Sequence, residues 1–394
     1  SKKSSAFKLV VPNVRTYIIA ADNDKDKQDW MAAIKNAIGS SGSTPAPATK
    51  SSGGGDKQPA LSLDDFALIR VLGRGTYGKV TLVRSKRDGQ LYAMKSMSKK
   101  QLEESDQVQQ TIQERDVLLK TRNPFLVCAY WSFQTPEKIF MVLDYVPGGE
   151  LFNRLKEEGQ FSEKRTQLYA AEILLGLGFL HKLNFVYRDL KPENILVDRD
   201  GHLKITDFGL VKQNMKGNST TQTFCGTPEY IAPEMLQQNP YTKSVDWWSF
   251  GILVFEMLTG LPPFYDDNVN KMYRMIVTQD VDFPAYISPV AKDLISKLLT
   301  KDPERRLGNG PSDYEEIKAH PFFNNLNWDD VINKTIKPEW QPEIKNDTDT
   351  GNFDPEFTNE NAVVSFEDAS IIDQHTQAEF TGFTCVGDNG TILG

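Results

Sequence analysis

The chain has 394 residues, 39% of them apolar and 10% aromatic, which is enough to build cores for two domains or one large bilobed one. Its net charge of −8 argues against a general binder of nucleic acid or anionic membrane and suits basic partners. No apolar run is long enough to span a bilayer, no signal-peptide pattern is present, and Cys128, Cys225 and Cys385 match no zinc spacing, which suggests a reducing, intracellular compartment.

The chain opens on Ser1 rather than Met, which reads as a piece of a longer protein. Phe7 to Val11 and Tyr17 to Ala21 are β-rich, with Pro12 and Asn13 as the turn between them. Asp24 to Ile38 predicts an amphipathic helix, with Trp30, Ala33, Ile34, Ala37 and Ile38 on one stripe and Gly39 as its stop. Residues 1–39 resemble the end of a pleckstrin-homology domain: its last strands and its C-terminal helix. Two readings are open. Either the chain starts inside a longer protein, which we favour, or this is an unrelated extension packing on the larger domain after it. The strands and loop that would hold an inositol phosphate are absent, so no lipid site is expected. A phosphoinositide membrane would be a partner only of a complete domain upstream. Residues 40–60 are rich in Gly, Ser, Thr, Pro and Ala and read as a flexible linker.

From Phe66 the chain turns strand-rich. Gly73-Arg74-Gly75-Thr76-Tyr77-Gly78-Lys79-Val80 sits between β-type segments, and its glycines would let backbone N–H groups face phosphates. A kinase loop, a dinucleotide loop and a plain glycine turn share this spacing. A dinucleotide loop must open a helix; here a strand comes next, with Val80 to cover adenine. Tyr92-Ala93-Met94-Lys95 ends an apolar strand, and nineteen residues later Glu114 lies in a helical stretch, Val108 to Lys120. A strand Lys paired to a helix Glu clamps the α- and β-phosphates. Without the glycine loop, each would read as a surface charge. Ile139 to Tyr145 leads into Val146-Pro147-Gly148-Gly149-Glu150, which fits a hinge between lobes. Backbone groups of Asp144 and Val146 would hold adenine there, with Leu143 behind it.

Helical periodicity dominates from Leu151 to His181, and then Tyr187-Arg188-Asp189-Leu190-Lys191-Pro192-Glu193-Asn194 appears. Phosphoryl transfer needs this set of side chains. An Asp orients the attacking hydroxyl and takes its proton, a Lys neutralises charge on the moving group, and an Asn helps hold a metal. Thirteen residues after Asn194, Asp207-Phe208-Gly209 offers a second metal-binding carboxylate. Singly, these motifs read as a surface ion pair or an ordinary turn. Their order and spacing carry the signal.

Residues 66–323 resemble a eukaryotic protein kinase domain, with every main motif in order, and Lys191 indicates the serine/threonine branch. Tyr187, in place of the commoner His, is typical of the AGC group. The resemblance implies an α+β, bilobal fold with a small β-rich N-lobe, a larger helical C-lobe and an AGC tail over residues 324–394. It implies ATP and Mg2+ as cofactors. Asp189 would be the catalytic base or orienter, Lys191 the γ-phosphate contact, Asn194 and Asp207 the magnesium ligands, and Lys95 with Glu114 the lobe-bridging pair. Leu72, Gly73, Arg74, Gly75, Thr76, Tyr77, Gly78, Val80, Ala93, Lys95, Asp144, Val146, Glu150 and Phe353 would surround the nucleotide.

The resemblance also makes Thr223, in Thr223-Phe224-Cys225-Gly226-Thr227-Pro228-Glu229-Tyr230, the site of an upstream activating kinase. Arg188 and Lys212 match the cations expected to receive its phosphate. Gln110 stands four residues before Glu114, where many relatives place a His, so coupling of Thr223 to the helix is expected to be weaker. Asp246 is expected to brace the catalytic loop, and Glu234 to pair with Arg306. Glu150, Glu193 and Glu256 match positions where basophilic AGC kinases bind arginine, so protein substrates with basic motifs are expected.

The tail, with its Asp, Glu and Asn clusters, reads by default as disordered and acidic. Recurring aromatics point the other way. Asn352 to Phe357 resembles the AGC segment that crosses the nucleotide cleft, with Phe353 near adenine. Ser365 aligns with the turn-motif phosphosite, although Phe366 comes next where Pro is usual. Phe380-Thr381-Gly382-Phe383-Thr384-Cys385 fits the hydrophobic motif, with phosphate on Thr384 expected near Gln134. Within the AGC group the protein kinase B (Akt) subgroup is the nearest match, and a cytoplasmic monomer, recruited to the plasma membrane, is the expectation. Two rival readings are a pseudokinase scaffold, which should lack one of Lys95, Asp189, Asn194 or Asp207, and a lipid-binding adaptor, which the missing strands oppose.

Overall fold

The computed structural model describes residues 6–11 and 15–20 by their backbone, and residues 61–75, 78–213, 215, 220–364 and 374–386. The chain divides into two units, Ser1–Pro59 and Ala60–Gly394. In the first, β1 (Ala6–Val11) and β2 (Arg15–Ala20) pair antiparallel, from Ala6 opposite Ala20 to Val11 opposite Arg15. The predicted Trp30 helix and the linker lie outside the described residues, as do Thr76, Tyr77 and Ser365.

The second unit opens with β3 (Phe66–Gly75), β4 (Gly78–Ser85) and β5 (Leu91–Ser98). Two helices come next, α1 (Lys99–Glu104) and α2 (Val108–Lys120), and then β6 (Ala129–Gln134) and β7 (Lys138–Asp144). The strands form one antiparallel sheet in the order β6-β7-β5-β4-β3. α2 buries Val108, Thr111, Glu114, Val117 and Leu118, three or four residues apart, which is the spacing of one helical face. A carboxylate on that inward stripe is the local anomaly, since a buried charge must find a partner.

The helical part lies beyond the hinge. It begins with α3 (Leu151–Glu158) and α4 (Glu163–Lys182), the latter started by Ser162, whose hydroxyl accepts from the Arg165 amide. A short hairpin, β8 (Ile195–Val197) with β9 (Leu203–Ile205), brackets the turn that leads to Asp207. Beyond α5 (Pro233–Leu236), α6 (Ser244–Thr259) is buried on every face from Ser244 through Leu258 and ends at Gly260 in the left-handed conformation. α7 (Val269–Thr278) packs on α5, α8 (Pro289–Leu298) on α6, and α9 (Tyr314–Lys318) and α10 (Trp328–Ile332) on α4. No helix among the described residues is long and apolar enough to cross a membrane.

Residues 324–364 are not a loose acidic tail, which corrects the default reading. Trp340 lies between the guanidinium groups of Arg154, at 4.5 Å, and Arg165, at 5.4 Å. Tyr145 donates its hydroxyl to the Asp349 carbonyl at 2.6 Å, and the Asn352 amide donates to Pro147 O at 3.1 Å. The hinge needs Gly149 for this: φ is +74°, and a Cβ there would come within 2.3 Å of Asn352 O. After α11 (Pro355–Thr358) and α12 (Gln374–Glu379) the chain adds β10 (Cys385–Val386) antiparallel to the outer edge of β6, making the sheet six-stranded.

Candidate active site

A cleft of about 510 Å3 separates the sheet from the helical part, and Lys95, Glu114, Asp189, Asn194 and Asp207 all border it. β3 and β4 form its roof, with register shifts between Leu68 and Arg70 and between Val71 and Gly73. The three glycines of the roof differ. A Cβ on Gly78 would lie 1.8 Å from the Ser96 carbonyl oxygen, so packing alone demands glycine there. Cβ atoms on Gly73 and Gly75 would meet nothing within 4 Å. Packing does not require these two glycines, and backbone with that much open space can come close to a phosphate.

Lys95 points from β5 to Glu114, with Nζ 2.7 Å from Oε1. Burial alone would pull its ammonium down, but the carboxylates of Glu114 and Asp207 outweigh that and hold it above its usual range. The Gln110 amide donates to the Gly209 carbonyl, so α2 is tied directly to Asp207-Phe208-Gly209. Phe208 is buried edge-on against Tyr187, centroids 5.8 Å apart.

The loop that carries Asp189 hangs from Asp246, buried at the start of α6. Its two carboxylate oxygens accept from Tyr187 N and Arg188 N, both at 2.8 Å. His181 Nε2 lies 2.8 Å from Asp246, and its Nδ1 3.1 Å from Asp313. Arg188 and Asp207 both adopt positive φ, +69° and +55°, conformations that persist only where surroundings enforce them.

Asp189 has three polar neighbours. Its carboxylate accepts from Asn194 Nδ2 at 2.7 Å and from the Thr227 hydroxyl at 3.1 Å, and Lys191 Nζ lies 3.4 Å away. Lys191 also donates to Thr227 Oγ1 at 2.8 Å. Burial pushes the Asp189 carboxyl up from its ordinary range, against the pull of Lys191, Asn194 and Thr227. A raised value makes it a better proton acceptor. Sequence reasoning used Thr227 only to place Thr223 and missed its contact with Asp189.

No group of three or more His, Cys, Asp or Glu among the described residues could hold a metal alone. Asn194 and Asp207 offer two oxygen donors at one cleft, which suits Mg2+ completing its shell with substrate phosphates and water. Leu72, Val80, Ala93, Leu143, Val146 and Phe353 supply apolar walls, and Phe353 stacks on Tyr145. The Asp144 side chain is engaged elsewhere, with Tyr130 at 2.7 Å and Lys204 at 3.0 Å, and its backbone N–H donates to Cys128 O at 3.0 Å, which leaves only its carbonyl for a base. Arg74 borders the cleft, but its guanidinium is turned to Glu360 of the tail, which alters the expectation of a nucleotide contact.

The three expected substrate carboxylates lie close together, with Glu229 as an unforeseen fourth. Glu193 has a buried carboxylate oxygen, Oε2, without a hydrogen-bond partner. Glu256 is buried and accepts from the Tyr230 hydroxyl. Burial, with Glu193 and Glu229 nearby, pushes its carboxyl up to about 7. Burial and Glu193 likewise raise Glu150.

Thr223 is exposed, and its carbonyl accepts from the Tyr241 hydroxyl at 2.6 Å, which in turn meets Arg188 Nη1 at 3.0 Å. At the other end of the small lobe Phe380 and Phe383 are fully buried. Gln134 donates to Phe380 O at 2.8 Å, Ser132 to Phe383 O at 2.6 Å and Arg115 to Gly382 O at 3.0 Å. Lys99 was unremarked in the sequence. It donates to Gln134 and Gln377, and burial pulls its ammonium down to about 8. Thr384 itself is exposed.

The protein kinase domain model matches residues 66–323, and the protein kinase C terminal domain model matches residues 344–385. The chain is 42% identical to a RAC family serine/threonine-protein kinase homolog of Dictyostelium discoideum, over 98% of this chain and 85% of that protein. It is 47% identical to serine/threonine protein kinase ypkA of Aspergillus fumigatus, over 84% of this chain and 52% of that one. Against the RAC serine/threonine-protein kinase of Drosophila melanogaster the figures are 44%, 85% and 55%. The chain thus spans about half the length of the last two.

Proposed function

This chain belongs to the protein kinase family, in the AGC group of serine/threonine kinases, and from that premise we propose that it phosphorylates Ser or Thr in peptides with upstream arginines. The observation that carries the reading is the meeting of Lys95, Asp189, Lys191, Asn194 and Asp207 around one cleft. Bound there, Mg-ATP supplies the γ-phosphoryl group and much of the charge neutralisation. Lys95, held charged by Glu114, faces the α- and β-phosphates. Asp189 orients the substrate hydroxyl and takes its proton, with Thr227 and Asn194 fixing the carboxylate. Lys191 offsets negative charge on the transferred group. Beyond the proton taken by Asp189, positioning and electrostatics are what these residues contribute.

The unpartnered oxygen of Glu193, among Glu150, Glu229 and Glu256, supports arginine recognition, because a guanidinium can satisfy two such acceptors at once. An exposed Thr223 and an exposed Thr384 support control by phosphorylation: the first lies beside Arg188 and Tyr241, the second comes just after two anchored phenylalanines. We also place the chain in the protein kinase B (Akt) subgroup, on the order of pleckstrin-like segment, linker, kinase domain and tail. A cytoplasmic enzyme recruited to the plasma membrane fits that place.

An arrayed Ser/Thr peptide library with Mg-ATP tests the reading. Transfer concentrated on peptides with Arg three and five positions before the acceptor is expected. Transfer indifferent to Arg would remove the substrate assignment, and none at all would remove the enzyme.

A further inference from the structure

Glu172 is a carboxylate with no task in the chemistry above, and it lies fully buried in the middle of α4, between Ala171 and Ile173. A charge so placed is tolerated only with partners. Its Oε1 lies 2.6 Å from His202 Nδ1, and its Oε2 accepts from Leu203 N at 2.8 Å. His202 is itself buried at the turn of the β8–β9 hairpin, where its amide donates to Asp198 Oδ1 at 2.9 Å. One turn further along α4, Gly176 leaves room for Ile205; a Cβ there would come within 3.0 Å of Ile205 Cδ1. β9 therefore meets α4 through an apolar contact at Ile205 and through hydrogen bonds at its start.

Asn194 immediately precedes β8, Asp207 comes just after β9, and Ile195 pairs with Ile205, so both side chains leave the same end of this hairpin. Thr206 N donates to Asn194 O at 2.9 Å, which ties the two departures together. The outer edges of the hairpin are bonded to segments between the lobes: Val197 N donates to Gly149 O and Ile205 N to Phe125 O. Asp189 instead is mounted on the helical part, through Asp246. We propose that Glu172 is a positioning residue for the metal ion: through His202 and Leu203 it fixes the β8–β9 hairpin on α4, and so holds Asn194 and Asp207 in register with Asp189. The proposal rests on the reading of Asn194 and Asp207 as Mg2+ ligands. Three residue pairs make a marginal hairpin alone, so its geometry depends on what it rests on. The contact of Ile205 with Gly176 sets how closely the strand lies but tolerates sliding along the helix. Hydrogen bonds to both oxygens of one carboxylate do not, because they weaken steeply with distance and angle.

The test uses the full chain in excess over AMP-PNP, with Mn2+ as the probe and the free ion followed by its electron paramagnetic resonance signal. Glu172→Ala should raise the Kd for Mn2+ by about threefold to tenfold, less than the loss of a group bonded directly to a metal ligand. Glu172→Gln can still accept from Leu203 N and donate to His202, and should stay within about twofold of wild type. A fold that is merely weakened lowers the number of sites titrated and leaves their affinity alone. An unchanged Kd in Glu172→Ala therefore overturns the proposal. So does an equal loss in Glu172→Gln, because charge and not the hydrogen-bonded tie would then be acting. If Glu172→Ala does not fold, His202→Ala, which keeps the bond to Leu203 N, is judged by the same criterion, with a rise of about twofold or more expected. Asp207→Asn is the control and should lose most of its Mn2+ affinity. If it binds Mn2+ as the wild type does, the reading of the metal ligands falls instead.

Discussion

Around Asp189 the polar groups are sunk in the fold and bonded inward, to Asp246, Asn194, Lys191 and Thr227. Around Gly73 and Gly75 the backbone pairs only within its own hairpin, with Val80 and Gly78, and the side chains of Arg74 and Lys79 reach out to Glu360 of the tail. Both regions border the same cleft. The difference arises from their tasks. A group that takes a proton must already be in place when the reaction begins, which a buried, mutually bonded network ensures. An exposed ion pair breaks easily, so the outer region can yield where the inner one holds.

Substitutions can break this contrast, beginning with the deepest. Asp189→Asn should lower transfer by about 10³-fold while leaving binding of an ADP analogue intact. A matching loss of nucleotide affinity would show that the two regions are not separable. Asp246→Ala, which strips the acceptor from Tyr187 N and Arg188 N and leaves His181 half-paired, should cost roughly 3 kcal/mol of stability in a denaturant titration. No change at Arg74 or Glu360 should approach that figure. Thr223 stands between the two extremes. Thr223→Ala should reduce activity about tenfold once the upstream kinase has acted, because only a phosphate there adds charge for Arg188 to meet. Removing residues 379–394 should reduce it less, and the reverse order would make the tail the principal switch.

The smallest effect is in pH. His181, between Asp246 and Asp313, is held up to about 9 by their hydrogen bonds in spite of burial. A folded value above the unfolded one means that its contribution is complete below about 6.5 and disappears as pH rises through about 9. Stability measured from pH 6 to 10 should therefore fall at the alkaline end, and His181→Gln should flatten that fall. An identical slope in the variant would exclude His181 as its source.

Much of the buried region is legible in the sequence, because its parts are short in range or fixed in order. The helix Val108–Lys120 is readable end to end, since Val117 and Leu118 lie three and four residues beyond Glu114, on its face, and a strand Lys upstream calls for a partner at Glu114. Asp189, Lys191 and Asn194 fall within six residues. Thr227 is a different case, because it reaches Asp189 across 38 residues of chain and looks like one more hydroxyl in a Thr-rich segment. Lys99 resembles a solvated charge until its burial is known, and Glu229 until its nearness to Glu256 is. The outer region is least legible of all. Arg74 and Glu360 are 286 residues apart, and nothing local distinguishes that glutamate from its acidic neighbours.

β10 has one more consequence. Cys385 and Val386 occupy the hydrogen-bonding edge that β6 would otherwise present at Trp131 and Ser132. A chain whose last segment has swung away exposes unsatisfied amides and carbonyls beside two aromatic residues, Tyr130 and Trp131, a template on which another extended polypeptide can polymerise. The same few residues thus guard solubility, and preparations trimmed at this end should precipitate sooner than intact ones.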